Sequence, residues 1–196
     1  TLTRAQAREK LGLTDERPLV ASFWGSLGAS GMNEQMLRFF EREIADGQPF
    51  HHIHAAGKSD WPHVSGELER LGLSSPLLDV RQYIYDMAVV MAAADLVISR
   101  AGASTLSEVT ALGMPTILVP SPYVVANHQE KNARLLESHG GAVVLTEEQA
   151  TGEALYESAK DILQNPEKRR SMAKAMAELG IPDATERIYN TLMALL

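Results

Sequence analysis

Short apolar runs of strand length alternate along the chain with segments in which apolar residues recur every three or four positions. The runs at 18–24, 50–55, 77–80, 95–99, 115–119 and 142–145 read as strands. Helical period covers 4–11, 32–45, 61–71, 84–94, 105–112, 128–139, 152–164 and 167–179. Such alternation is the signature of a parallel α/β architecture, so six strands with helices between them predict an α/β fold with a doubly wound parallel sheet. The end, GIPDATERIYNTLMALL, reads as a further helix. Its Asp183 and Glu186 have the D-x-x-E spacing of a capping box, ahead of an apolar stripe at Ile188, Leu192 and Leu195. Neither an internal repeat nor a Gly/Ser/Pro linker divides the chain, which predicts one α/β domain over 1–180 with a helical extension over 181–196.

In a sheet of this kind ligands gather at the carboxyl ends of the strands, where loops and helix N-termini converge. Four of those loops carry unusual chemistry. WGSLGASG at 24–31 follows the first strand and places glycines at 25, 28 and 31, so the backbone can approach a ligand and aim N–H groups at a phosphate. Its G-x-x-G-x-x-G spacing matches neither the dinucleotide fingerprint nor the Walker pattern, and a tight strand-to-helix turn explains it as well. The second loop, RQYIYD at 81–86, leads into a short helix. There Asp86 could cap the helix while Ile84 and Met87 either anchor the loop or offer a flat apolar surface, beside free backbone amides, to an aromatic base.

SRAGASTLSE at 99–108 has two readings that use one geometry. Thr105 and Glu108 fit an S/T-x-x-E capping box. Equally, Gly102 and Ala103 keep the approach open, first-turn N–H groups face a diphosphate, and the Glu108 carboxylate accepts both hydroxyls of a ribose. The fourth loop, PSPYVVANHQEKNARLLE at 120–137, clusters His128, Gln129 and Asn132 at a helix start. Amide and imidazole groups there suit the reading of sugar hydroxyls; a surface helix capped by Asn127 or His128 is the plainer account.

Composition narrows the chemistry. Of the 196 residues 45% are hydrophobic and 22% charged, enough for a substantial core. Cysteine is absent, which removes disulfides, a thiolate nucleophile and thiolate-ligated metal, and favours a reducing compartment. A net charge of −7 argues against a nucleic-acid partner, and Lys168-Arg169-Arg170 beside Glu167 reads as a solvated helix face. Apolar runs such as 114–122 fall short of the roughly 20 residues a membrane span needs. The opening TLTRAQAREKLGL carries no secretory signal and, without an initiator methionine, reads as cut from a longer chain. Of the histidines, 52 and 54 share a strand face and 51 points to the other, so they make a pair at most and core packing explains them better than zinc. His63 and His139 have no partners at ligand spacing, and His128 has no second ligand at metal spacing, so no metal is expected.

In this order the loops resemble the UDP-sugar-binding half of the MurG glycosyltransferases, which add N-acetylglucosamine (GlcNAc) to lipid-linked muramyl-pentapeptide in peptidoglycan synthesis. GSLGAS is similar to that family's second-half glycine loop, YIYDMA to its base-binding segment, SRAGASTLSEVTALGMPTILVP to its ribose and diphosphate helix, and NHQEKNA to its sugar-reading loop. LGIPDATERI resembles its C-terminal helix start. The resemblance implies one Rossmann-like half of a GT-B enzyme. It assigns the donor UDP-GlcNAc to Gly25, Ser26, Leu27 and Gly28 near the phosphates, and to Ile84, whose backbone reads uracil, with Met87. Gly102, Ala103, Ser104, Thr105 and Leu106 would face the diphosphate, Glu108 the ribose, and His128, Gln129 and Asn132 the GlcNAc hydroxyls. No cofactor beyond the substrate is implied. The reaction inverts the anomeric carbon, converting lipid I to lipid II, with the general base expected in an N-terminal acceptor domain absent from this sequence. That domain would also bring the lipid, the membrane contact and the packing surface for 181–196. On this basis the full protein is expected in the cytoplasm, peripheral on the inner face of the bacterial plasma membrane, and this half is expected to bind donor but be inactive alone. Two alternatives share the fold: the donor subunit of a two-chain GlcNAc transferase of the eukaryotic type, and a non-transferring nucleotide-sugar-binding or hydrolysing relative.

Overall fold

A computed structural model describes residues 2–195. Helix α1 (Arg4–Lys10) precedes strand β1 (Leu19–Phe23), after which α2 (Ser30–Ala45), β2 (His51–Ala55), α3 (Trp61–Leu71) and β3 (Leu78–Arg81) complete one half of the sheet. The other half is built by α4 (Met87–Ala93), β4 (Leu96–Ser99), α5 (Ala103–Ala111), β5 (Thr116–Leu118), α6 (His128–Ser138) and β6 (Ala142–Val144). Helices α7 (Gly152–Gln164), α8 (Pro166–Leu179) and α9 (Ala184–Met193) close the chain.

All pairings are parallel and the strand order is β3-β2-β1-β4-β5-β6. The register is level at the carboxyl edge, where Arg81, Ala55, Phe23, Ser99, Leu118 and Val144 form one row. Side chains of a strand alternate between faces, which in β1 sends Leu19, Ala21 and Phe23 into one apolar layer and Val20 and Trp24 into the other. Helices α4, α5 and α6 supply Val90, Leu106, Val109 and Leu136 to the first layer; α2, α3 and α7 supply Met36, Phe40, Val64 and Ile162 to the second. Burial on both faces explains why the strands read as near-continuous apolar runs. Helix α8 lies across the amino ends of the strands, beside Asp95, Gly113 and Gly141, and gives Met176 to the first layer and Met172 to the second.

Three local expectations change. The helix expected from residue 84 begins at Met87, and Ile84 is instead buried in the preceding loop. Helix α5 begins at Ala103 because extended Gly102 serves as its N-cap and accepts the Leu106 N–H at 2.9 Å. Thr105 is therefore already inside the helix, and the Thr105/Glu108 capping box does not form. Nor does the one at α9, where the Asp183 carboxylate pairs with Arg187 at 2.9 Å rather than capping backbone. The apolar stripe of α9 stands in solvent, with Ile188, Tyr189 and Leu192 exposed.

Two contacts fix the carboxyl edge. Gly28 and Gly57 both have φ near +90°, and a Cβ on either would overlap the backbone of the other's turn. The turns after β1 and β2 thus pack backbone on backbone, joined by the Lys58 N–H to the Ser26 carbonyl at 3.2 Å. Beneath them His52 and His54 lie fully buried on one face of β2, both bonded to Ser22 Oγ, while His51 on the other face meets the Asp15 carboxylate at 2.8 Å. Burial pushes His54 down to about 3 from the ordinary 6.5, helped by its neighbour His52.

Gly57→Ala should destabilise the fold by more than about 2 kcal/mol in urea denaturation, since strain and overlap add. Gly66→Ala, in open space on helix α3, should stabilise it by about 0.5 kcal/mol or more. Between pH 6.5 and about 3 the unfolded chain binds a proton at His54 that the folded chain refuses. This group's contribution therefore leaves stability intact above pH 6.5 and erodes it as pH falls through that window, so His54→Gln should show a shallower loss of stability between pH 7 and 4.5 than the unsubstituted chain.

Candidate functional site

Helix α2 leaves β1 toward one face of the sheet and α5 leaves β4 toward the other, although the two strands are neighbours. The crevice that opens between such divergent crossovers is where ligands bind in this class of sheet. Here it holds a cavity of about 660 Å³. Its walls come from the loops after β1 (Trp24, Gly25, Gly28, Ser30), β4 (Arg100, Gly102, Ser104, Thr105), β5 (Ser121, Tyr123, Gln129) and β6 (Glu147).

Neither α2 nor α5 has a side chain capping its N-terminus: their N-caps are Ala29 and Gly102. Two sets of first-turn N–H groups, each at the positive end of a helix, therefore border one space, the arrangement that favours an anion. Arg100 adds the cavity's one cationic side chain among the described residues. Its Nη1 lies 2.7 Å from Glu147 Oε2 and 3.3 Å from the Val119 carbonyl, and its guanidinium sits 5.8 Å from the centre of the buried Trp24 ring. One side chain thereby ties together the loops after β1, β5 and β6.

The fourth loop is shaped for polar recognition. Gln129 Oε1 accepts the Ser121 N–H at 2.9 Å, which fixes the amide and leaves its Nε2 donor without a protein partner among the described residues. Ala126 and Asn127 both adopt left-handed backbone, at φ 54° and 51°, a strained pair immediately before α6. His128 is exposed and its Nδ1–H donates to the Val125 carbonyl at 2.9 Å, leaving Nε2 unpaired.

Of the residues singled out from sequence, Gly25, Gly28, Gly102, Ser104, Thr105 and Gln129 line this cavity. Met87 and Glu108 border a second, apolar one of about 490 Å³ between α4 and α5, with Met91, Ala111 and Leu112. The first turn of α5 thus faces one cavity and its second turn the other. Ser26, Leu27, Ala103, His128 and Asn132 lie exposed near the rim, whereas Ile84 and Leu106 are buried in the layer beneath. Trp24, Ser30, Arg100, Ser121, Tyr123 and Glu147 were not anticipated. Arg100 stands inside the quoted SRAGASTLSE, where its charge was the available signal; Glu147 follows the last strand in a loop with no motif. No group of three metal-ligating side chains occurs among the described residues, and no helix there is long and apolar enough to cross a membrane.

With its six-stranded parallel sheet of order 3-2-1-4-5-6 and C-terminal helices, the chain matches one half of a GT-B glycosyltransferase. Residues 20–188 match the glycosyltransferase family 28 C-terminal domain, and the chain belongs to that family. It is 46% identical over 189 residues to the UDP-N-acetylglucosamine--N-acetylmuramyl-(pentapeptide) pyrophosphoryl-undecaprenol N-acetylglucosamine transferase of Acetivibrio thermocellus, covering 96% of this chain and 50% of that protein. To the same-named protein of Bacillus subtilis it is 34% identical over 183 residues, covering 93% and 50%. The crystal structure of Acinetobacter baumannii MurG superposes with a TM-score of 0.76 at 27% identity, over 98% of this chain and 53% of that one. The chain thus spans about half the length of the relatives it matches.

Arg100→Lys should lower stability by about 1–2 kcal/mol in urea denaturation, because the shorter, non-planar ammonium cannot keep the Nη1 contacts to two carbonyls and a carboxylate while the guanidinium face stays beside the Trp24 ring.

Proposed function

We propose that the chain is the donor-binding half of an inverting N-acetylglucosaminyltransferase, and that the complete protein carries GlcNAc from UDP-GlcNAc to a lipid-linked muramyl-pentapeptide in the bacterial cell wall. The observation that carries this reading is the pair of side-chain-free helix N-termini, α2 and α5, facing one cavity across the β1/β4 divergence. A diphosphate seated there would lie against first-turn N–H groups, with the ribose toward Glu108 and the base near the Ile84 backbone and Met87. The sugar would reach Gln129 and His128, whose free donor and acceptor atoms suit hydroxyl groups.

In an inverting transfer the acceptor oxygen forms its bond to the anomeric carbon as the bond to the UDP oxygen breaks, and charge collects on the departing diphosphate. The two helix ends are preorganised for that charge, which is where electrostatic stabilisation of a leaving group counts most. The acceptor, its general base and the membrane contact belong in this reading to a second domain, held at the inner face of the plasma membrane. Exposed apolar side chains at the rim, Leu27, Tyr123 and Val125, and the bare stripe of α9 are suited to face that domain.

Calorimetry of the chain with UDP and UDP-GlcNAc tests the reading, and absence of UDP-dependent heat would sink it. The Glu108 carboxylate is exposed and bonds to nothing among the described residues, so Glu108→Ala should leave stability within about 0.5 kcal/mol while weakening UDP roughly tenfold to a hundredfold. Equal affinity in the variant would remove Glu108 from the site.

A further inference from the structure

Five buried polar side chains form a continuous chain that runs between α2 and the sheet up to the carboxyl edge, and none lines the cavity there. Glu43 and Asn33 come from α2, His52 and His54 from β2, and Ser22 from β1; each is at most 1% exposed. Glu43 Oε2 lies 2.9 Å from His52 Nδ1, His52 Nε2 lies 2.8 Å from Ser22 Oγ, Ser22 Oγ lies 2.7 Å from His54 Nδ1, and His54 Nε2 lies 3.1 Å from Asn33 Oδ1. The rings of Phe39, Phe40, Phe50 and Tyr156 surround the Glu43 end and exclude water.

Hydrogen-bond chemistry fixes the direction of every bond. The Asn33 amide nitrogen touches two acceptors, the Ala56 carbonyl at 2.8 Å and Asp60 Oδ2 at 2.6 Å, so that end must be the NH₂. Its carbonyl oxygen then faces His54, whose Nε2 must carry a hydrogen. His54 is neutral near pH 7, so its Nδ1 is bare and takes the Ser22 hydroxyl hydrogen. With that hydrogen committed, Ser22 Oγ can only accept from His52, whose Nε2 is therefore protonated. At the far end one proton lies between His52 Nδ1 and Glu43 Oε2, whichever atom holds it, and the pair is electrically neutral. The opposite polarity would turn the Asn33 carbonyl onto two acceptors.

The ordered end of this chain is anchored at the site. Asn33 holds the Ala56 carbonyl, the atom against which Gly28 packs, and shares Asp60 with Ser30 Oγ, 2.6 Å away on the first turn of α2. We infer that Asn33 and His54 are positioning residues for the glycine turn of the donor cavity, held in register by the proton that Glu43 and His52 share. The inference rests on the donor-binding reading for its function, but not for its geometry.

Long-range ¹H–¹⁵N imidazole spectra of the ligand-free chain at neutral pH should show Nε2–H on both His52 and His54, with His54 Nδ1 bare. A hydrogen on His54 Nδ1 with Nε2 bare overturns the polarity. Ser22→Ala cuts the chain in its middle with the loss of one atom. It should shift the backbone amide resonances of Gly28, Ser30 and Gly57 and weaken UDP about tenfold; unmoved resonances overturn the positioning role. Glu43→Gln offers an N–H to His52 Nδ1 in place of the shared proton, so it should restore both tautomers and near-original UDP affinity, and loss of the His52 Nε2–H in that variant overturns the shared-proton assignment. An unsubstituted chain that binds no UDP overturns the donor reading alone, because the glycine resonances still decide the role of Asn33 and His54.

Discussion

Neighbouring strands β1 and β4 send their helices to opposite faces of a sheet whose six carboxyl ends finish level, and the rest of the site depends on that divergence. Had α2 and α5 packed on one face, their first turns would have lain side by side with side chains between them. Because they part, the space between them is lined by backbone: glycines 25, 28 and 102, and N-caps that are Ala29 and Gly102 rather than the Ser, Thr or Asp that would fill a free helix end. Elsewhere in the same chain the termini of α1, α7 and α8 do carry Thr3, Thr151 and Asn165 as side-chain caps. Side-chain caps are absent at α3, α4, α6 and α9 as well, so what sets α2 and α5 apart is that their two bare ends border one cavity.

The two layers of core do different work. Leu19, Ala21, Val97 and Val109 on one side make an apolar layer of the usual kind. On the other, Ser22, His52 and His54 replace what could have been Val or Leu, and only complete pairing makes such a replacement tolerable, since an unmatched buried polar group costs about 1–3 kcal/mol. Within that row only Glu43 Oε1 lacks a partner among the described residues. An apolar core would hold the sheet and helices together equally well. A hydrogen-bonded one adds direction, and its end falls on the carbonyl against which the glycine turn rests.

Much of this was legible in the sequence. Strand runs and helical periods carry the architecture because burial on both faces leaves a continuous apolar signal, and all six strands fall within a residue or two of their expected bounds. Helix starts were less legible. The residue types of a capping box at Thr105 and Glu108 are present, yet Gly102 can end the preceding extension earlier, and backbone geometry rather than side-chain spacing decides where α5 begins. The cavity glycines could be found because each interrupts an otherwise periodic segment. Arg100 and Glu147 could not be paired from sequence, being 47 positions apart and joined only by the β4-β5-β6 order. Likewise His52 and His54 were legible as a buried pair on one face, but their link to Asn33 requires knowing that α2 crosses back over β2.

Charge at the cleft is the last consequence. The chain carries −7 overall, an unpromising background for a ligand with two phosphates. Most described arginines are already committed to carboxylates, as at Arg4–Asp95, Arg42–Glu153 and Arg81–Asp79. The cavity holds one cation and one anion, Arg100 and Glu147, paired with each other, so its side chains sum to zero. Attraction for a diphosphate would therefore come from fixed dipoles: two helix ends of about half a positive charge each, with their N–H groups already aimed. Dipoles of this kind act over a single turn and in contact, so they hold an anion that has arrived without drawing one from a distance. A cleft built that way keeps the long-range field of the domain negative while its floor is locally positive.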